Sequence, residues 1–501
     1  MKKLFTISIS LLVVLPLFMC QCPNGEENPT PILDSISPTS KVSHMPSFTL
    51  TATGTNFVSG SAIVFNETEK ATTFVSSTEL TCQVDPDDIA GISSLTSGSM
   101  SLSRVLSENV PVLVRNPSPG GGDSNSLGFT IMDNHTFYAP VKVSDIWISR
   151  YPNIAADSEG NINVVWEEDT LLVDAFFSRS INDGASWSEG LNITNASGCW
   201  WTAKPAIAVG SDGNINVVLF ARGSFEDEES GIYFTRSTDN GENWSERVNI
   251  STLADFFSRF DIEVDNTGAI NVIWNTDLSG NHEIYFSRST DNGENWSEAL
   301  NISNSSLDSL APEITVDSSG NINVVWQEDT ISSEYVVYFS RSTDNGENWS
   351  EALNISNTLG SSGAPGIAVD SDGNIGVIWS NGHSGNHEVY FSRSTDSGVN
   401  WSEAVNISNT LVNSRASGIA MDSARNINVV WLEGNSVIEY IIYFSRSTDN
   451  GASWSTALNI SSPMEYPDVP VIAVDSAGNI NVVWSNDSDT SIDIYFTGST
   501  R

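Results

Sequence analysis

From residue 139 onward the chain alternates short apolar-rich stretches with polar turns, and four kinds of stretch return in a fixed order. One reads like PxIAVDS, the next like GNINVVW, and the third like IYFSRS. The fourth, LNIS, follows a tip of the form S-x-D-x-G-x-x-W. Runs rich in Val, Ile, Phe and Tyr, bounded by Gly, Asn, Asp and Ser, predict β-strands joined by tight turns. The tip occurs six times: SINDGASW (180–187), STDNGENW (237–244, 289–296 and 342–349), STDSGVNW (394–401) and STDNGASW (447–454). Its glycines, Gly184, Gly241, Gly293, Gly346, Gly398 and Gly451, are spaced by 57, 52, 53, 52 and 53 residues. Four short strands at this period make one blade of a β-propeller.

The strand count predicts seven blades. The IAVDS-type strand begins near Ile154, Ile207, Ile262, Ile314, Ile367, Ile419 and Ile472, and the NINVVW-type strand ends at Trp166, Leu219, Trp274, Trp326, Trp379, Trp431 and Trp484. The LNIS strand follows its tip only six times, and the sequence ends at Arg501 just after IYFTGST. APVKVS (139–144) has the missing pattern, so an N-terminal strand is expected to complete the last blade and leave no free sheet edge. Residues 138–501 number 364, seven times 52.

Charged residues are only 17% of the chain, yet the formal net charge is −41, because Lys and Arg total 21. Such an acidic surface repels nucleic acid and anionic lipid headgroups, so nucleic-acid partners are excluded and membrane association is expected only through an anchor. The first residues supply that anchor. Lys2 and Lys3 precede an apolar stretch from Leu4 to Phe18, too short for a stable span. Leu17-Phe18-Met19-Cys20 resembles a bacterial lipoprotein signal, with Met19 departing from the usual small residue. The resemblance implies a signal peptide over 1–19, an acylated Cys20, a tether over 20–30 and a place in the cell envelope or at the cell surface. Simple secretion with cleavage nearby is the alternative. Cys20, Cys22, Cys82 and Cys199 match no metal-site spacing and imply no disulfide framework; Cys82 in LTCQV reads as a core residue.

Residues 31–132 lack the repeat. Short strands separated by Gly, Asn, Ser and Pro predict an all-β sandwich. The order SISPTS, FTLTATGTNFVSGSAIVFN, TTFVSSTELTCQV and VPVLVRNPSPGGGDSNSLGFTI closely resembles the IPT/TIG family of immunoglobulin-like domains. That resemblance implies a spacer or adhesion module, read here as a spacer.

The hairpin tip itself resembles the Asp box, or BNR repeat, of sialidases and several unrelated propellers. Its physics is local: the Gly takes the positive φ of the turn, the Asp accepts backbone N–H bonds, and the Trp packs between strands. The first copy has Asn182 at the Asp position. Calcium is not assigned to the acidic turns, because VDSDGN at 369–374 is elsewhere VGSDGN, VDNTGA, VDSSGN, MDSARN or VDSAGN, which preserves no ligand set. The arginines of the repeated third strand (Arg179, Arg236, Arg288, Arg341, Arg393 and Arg446) recur with the scaffold and read as structural. No cofactor or metal is implied.

The Asp boxes and the D-S-x-G-N turns share one face of the ring, so the opposite face carries the loops that differ between blades. There the candidate ligand-binding residues are Trp147, Arg150, Tyr151, Trp200, Trp201, Arg222, Arg259 and Arg415. Aromatic platforms beside arginines suit a sugar ring or a peptide. The sialidase resemblance implies an arginine triad, a Tyr/Glu nucleophile pair and an acid/base Asp. Arg150-Tyr151-Pro152 resembles the family's arginine–isoleucine–proline motif. Asp174 would be the acid/base, Arg259 and Arg415 the further arms, and Tyr440 with Glu439 the nucleophile pair. Seven blades instead of six, and Tyr151 in place of Ile, weigh against catalysis. The expectation is a surface-anchored, noncatalytic recognition protein for a glycan or extracellular protein. A sialidase-like hydrolase and a purely structural envelope protein are the alternatives.

Overall fold

The computed structural model describes residues 27–38, 40–42, 47–85, 88, 107–132, 136–144, 148–169, 173–194, 199–223, 230–251, 259–277, 280–332, 334–357, 360–383, 386–434, 440–462, 464, 466–488 and 491–500. Among them the elements of two or more residues are all β-strands. The leader, Cys20 and Cys22 lie outside the described residues. Contacts divide the chain into one compact unit built up to Met132 and a second built from the residues after it.

The N-terminal domain is a sandwich of two sheets. Ile32–Ser37, Phe48–Thr55, Glu79–Val84 and Thr72–Ser76 form one. The other is formed mainly by Leu127–Met132, Ser107–Asn116 and Ala62–Phe65. Alternation along the strands sends Leu33, Leu50, Leu80, Cys82, Ile63, Phe65, Val112 and Phe129 into one shared core. Burial pushes the Cys82 thiol up to about 11, so it packs as an inert small hydrophobe.

Among the described residues the second domain assembles seven four-stranded antiparallel units in chain order. Their first strands are Ser149–Ala156, Cys199–Val209, Phe260–Val264, Ser309–Val316, Ser361–Val369, Ser414–Met421 and Pro467–Val474. Each of these contacts the next, and the seventh contacts the first. The ring is closed by the N-terminal segment: Val141 and Lys142 pair with Phe496 and Tyr495 of the final strand, and Thr136 and Phe137 pair with Thr500 and Ser499.

The Asp boxes hold neighbouring units together, which goes beyond the packing between strands that the sequence suggests. The tryptophan of each box meets edge-on a phenylalanine from the third strand of the preceding unit. The pairs Trp244–Phe177, Trp296–Phe234, Trp349–Phe286, Trp401–Phe339 and Trp454–Phe391 have centroids 5.1–5.3 Å apart. Trp187 of the first unit reaches Phe496 of the seventh at 5.2 Å. The seventh unit has no box, and Phe137 takes that place against Phe444 at 5.0 Å. Box glycines are required twice over. Gly293 has φ +86°, and a Cβ there would lie 2.0 Å from the Phe234 ring.

The repeated arginines close a second set of contacts. Arg288 Nη2 lies 2.6 Å from Asp265 Oδ2, and Arg341, Arg446 and Arg179 make the same contact with Asp317, Asp422 and Asp157 at 2.6–2.7 Å. These aspartates also cap the D-S-x-G-N turn: Asp317 Oδ1 accepts the Ser319 and Asn321 N–H groups at 2.9 Å. In the second unit Gly210 stands at the Asp position, and Arg236 turns to Asp212 instead.

Candidate functional site

The end of the ring opposite the boxes is shaped by a recurring irregularity of the first strand. Ladder register shifts near its start in six of the seven units. In five of them the residue three before the core isoleucine has positive φ: Tyr151, Lys204, Ala311, Ala364 and Val469. Each precedes a proline, which lacks the N–H that an unbroken ladder would need. A bulge re-aims the side chain it carries. Units four, five and seven place Ala311, Ala364 and Val469 there. Units one and two place a tyrosine and a lysine.

Around those two residues the structure gathers a charged cluster. Arg150 and Glu167 are direct partners in the first unit's ladder, so their side chains share a face. Glu167 is only 7% exposed, and its Oε2 accepts the Lys204 N–H at 3.3 Å. The Lys204 ammonium stands 5.8 Å from the centroid of the Tyr151 ring, which is itself 39% exposed. Burial depresses the Lys204 amine, and the Arg259 charge adds to that effect against the pull of Glu167. Burial likewise pushes the Glu167 carboxyl up to about 7, opposed by the Lys204 N–H bond and the charges of Arg150 and Lys204. Arg150 and Lys204 thus act directly on one buried carboxyl, and Arg259, just ahead of the third unit's first strand, acts on Lys204.

Deeper along the same strands lies an acidic patch. Asp261 and Glu263 come from the third first strand and Glu313 from the fourth; the equivalent residues in other units include Ala206, Ala208, Gly366, Gly418 and Ala473. The third first strand lacks the register shift. Asp261 Oδ1 accepts the Ile262 N–H at 2.9 Å and Oδ2 the Ile314 N–H of the next unit at 3.0 Å. Burial raises both Asp261 and Glu313, and the Asp261 charge raises Glu313 further. Burial, with the Asp261 charge behind it, pushes Glu263 up to about 8. Among the described residues no group of three or more His, Cys, Asp or Glu is arranged to hold a metal ion.

The sequence candidates separate on this map. Arg150, Tyr151 and Arg259 belong to the cluster around Lys204 and Glu167. Arg415 lies on the sixth first strand, where its charge acts on Asp468 of the seventh. Asp174 does not fit the acid/base role: it is 8% exposed and accepts bonds from Thr194 Oγ1 at 2.7 Å and Asn192 Nδ2 at 3.0 Å. Glu283 and Glu388 stand at the same repeat position and accept the Ser303 and Ser408 hydroxyls. Asp174 is thus a scaffold residue that ties in the fourth strand. Tyr440 is partly buried and packs against the core shared by units six and seven. Glu439, Trp147 and the side chains of Trp200, Trp201 and Arg222 lie outside the described residues. Sequence reasoning passed over Glu167, Asp261, Glu263 and Glu313. Comparing the first and second strands column by column marks all four as departures from the repeat.

Residues 283–482 match the model of the BNR repeat-like domain, and residues 31–131 match that of the IPT/TIG domain. No curated protein matches the sequence. Similar solved structures include a protein of unknown function from Dyadobacter fermentans, 12% identical, with 72% of this chain and 97% of that one covered at TM-score 0.46. A polysaccharide lyase of family PL25, an ulvan lyase, is 13% identical, covering 72% and 98% at TM-score 0.49. The intramolecular trans-sialidase of Ruminococcus gnavus is 12% identical, covering 71% and 94% at TM-score 0.41. Box geometry and family matches together identify an IPT/TIG domain over residues 31–131 and a BNR repeat-like domain over residues 283–482.

Proposed function

We propose that this is an exported, surface-anchored recognition protein whose ring mouth binds a carboxylated glycan without transforming it. The supporting observation is the gathering of Arg150, Lys204 and Arg259 near the starts of three consecutive units in a chain whose net charge is −41. Cations are scarce in this sequence, and six of its arginines are spent on the repeat scaffold. A carboxylate seated among three cations gains charge-assisted hydrogen bonds, and the exposed Tyr151 ring offers a face to the sugar. The N-terminal sandwich would hold the ring away from the surface. The burial of Asp174 and the packing of Tyr440 favour binding over hydrolysis.

An array of carboxylated and neutral saccharides tests the reading, scored for bound protein and for survival of each sugar. Saturable binding to carboxylated sugars is expected, with the sugars intact and binding abolished when Arg150→Met and Lys204→Met are combined. Loss of a terminal sugar that depends on Arg150 would make the protein a hydrolase. An absence of saturable binding would leave only a structural role in the envelope.

A further inference from the structure

The repeat provides an internal control for Glu167. Its position, immediately after the second-strand tryptophan, is occupied in other units by Phe220 (where Leu219 replaces the tryptophan), Asn275, Gln327, Ser380, Leu432 and Ser485. Two of these make the same inter-unit tie. Gln327 Oε1 accepts the Ala364 N–H, and Ser380 Oγ accepts the Ala416 N–H, both at 2.8 Å. In each case a second-strand side chain caps an amide at the bulge of the next unit's first strand. Glu167 does this for Lys204 with a longer bond, 3.3 Å. A neutral acceptor therefore suffices for the tie, and a buried carboxylate carries a desolvation cost that an amide or hydroxyl does not. The scaffold does not explain the charge at residue 167.

Its surroundings do. Arg150 faces it across the ladder, the Lys204 backbone and ammonium approach from the second unit, Arg259 acts on Lys204 from the third, and Asp169 on its own strand opposes ionisation. We infer that Glu167 is the specificity-determining residue of the mouth, exchanging a proton so that the cluster offers three positive charges to a carboxylated ligand and two in its absence. The inference rests on the anion-binding reading above. A bound anion disfavours the ionised carboxyl, so ligand binding near neutrality draws a proton onto Glu167. Affinity then rises as pH falls through the titration of this group, and reciprocally the ligand raises the affinity of Glu167 for its proton. The ionised state, in contrast, pairs with the cations and competes with the ligand. A Gln at this position would keep the tie and lose the competition.

Calorimetry on the full exported chain tests this, with 3′-sialyllactose and trigalacturonate as probes and lactose as the neutral control. Titrations run from about pH 5.5 to 8.5 in buffers of different ionisation enthalpy. The wild type is expected to weaken about tenfold across this range, a factor equal to one unit of ligand-induced shift, and to take up a fraction of a proton near pH 7. Glu167→Gln should bind tightly throughout, without proton uptake. Two-state melting of that variant alongside wild type reports whether the tie is kept, as Gln327 keeps it. An unchanged pH profile in Glu167→Gln overturns the inference while leaving the anion site standing. A profile that survives in Glu167→Gln but flattens in Lys204→Met assigns the titration to the amine and also overturns it. Failure of both carboxylated probes to bind at any pH removes the anion site and the inference with it.

Discussion

The two ends of the ring use the same residue types for opposite purposes. At the turn end Arg288 is locked onto Asp265 with both side chains nearly inaccessible, at 9% and 1%. The pattern recurs around the ring, so the arrangement belongs to the blade. At the mouth Arg150 is exposed, and its partner Glu167 stands where other units place Phe, Leu, Asn, Gln or Ser. Repetition marks what the fold needs, and departure from repetition at a costly position marks what it does not need. Arg288→Met should therefore strand a buried carboxylate and cost about 3–5 kcal/mol. Arg150→Met should stay within about 0.5 kcal/mol and weaken ligand binding instead. Urea unfolding followed by tryptophan fluorescence, with binding measured on the same samples, checks both. The opposite ranking would dissolve the distinction between the ends.

Acids sharpen the same contrast, because the turn aspartates and the acidic patch along the first strands titrate with opposite sign. At Asp317 burial pushes the carboxyl up but is outweighed by the Asn321 bonds and Arg341, so it sits below the usual range. Its stabilisation is present above the unfolded value and is lost as pH falls through the lowered folded value. Glu263 is displaced the other way, to about 8 from 4.5. Its folded state prefers the proton, so its contribution is fullest below about pH 4.5, declines as the unfolded chain ionises, and levels off above about pH 8. Glu263→Gln should thus gain stability over wild type progressively from about pH 5 to pH 8, by on the order of 2 kcal/mol. A difference curve that is flat over that interval would show Glu263 to be as well solvated as a surface carboxylate.

What the sequence made legible follows from how local each feature is. The Asp box is a turn, a carboxylate and a ring within eight residues, so composition and spacing suffice to read it. Strand order and the closing role of residues 139–144 follow from the period. The partner of each box tryptophan, a phenylalanine 62 to 67 residues earlier in the preceding unit or, for Trp187, Phe496 across the ring closure, requires the ring itself. Glu167 was hidden for the same reason, since nothing along the chain places residue 167 against residue 204. Asp261 and Glu263 were hidden differently. They sit inside a strand of the repeated type, and reading the strand as scaffold concealed that, apart from Glu313, the other units carry uncharged residues, mostly Ala and Gly, at the equivalent positions. Asp174 erred in the other direction. The sialidase resemblance makes it an acid/base candidate, yet it belongs to the strand Val173–Ser180 and shares its position with Glu283 and Glu388.

The smallest effect expected on the turn end comes from a substitution the chain already contains. Asn182 in the first box uses Oδ1 to accept the Ser186 N–H and Nδ2 to donate to the Ser186 hydroxyl, both at 2.9 Å. The sixth box has Asp449 and Ser453 in these places, and there the serine hydroxyl donates to Asp449 Oδ2 while its N–H bonds Oδ1 at 2.9 Å. A serine hydroxyl reverses its role by rotating, so Asp449→Asn should cost no more than about 0.5 kcal/mol. Asp344→Asn is the informative comparison. Its partner is Asn348, whose Nδ2 donates to Asp344 Oδ2 at 2.8 Å, and an amide in place of that oxygen requires the whole Asn348 amide to turn over before it can accept. It should cost about 1 kcal/mol more than Asp449→Asn in the same unfolding assay. Equal and large losses in both variants would mean that the box needs its negative charge, and cation binding at the turns would then return as the explanation.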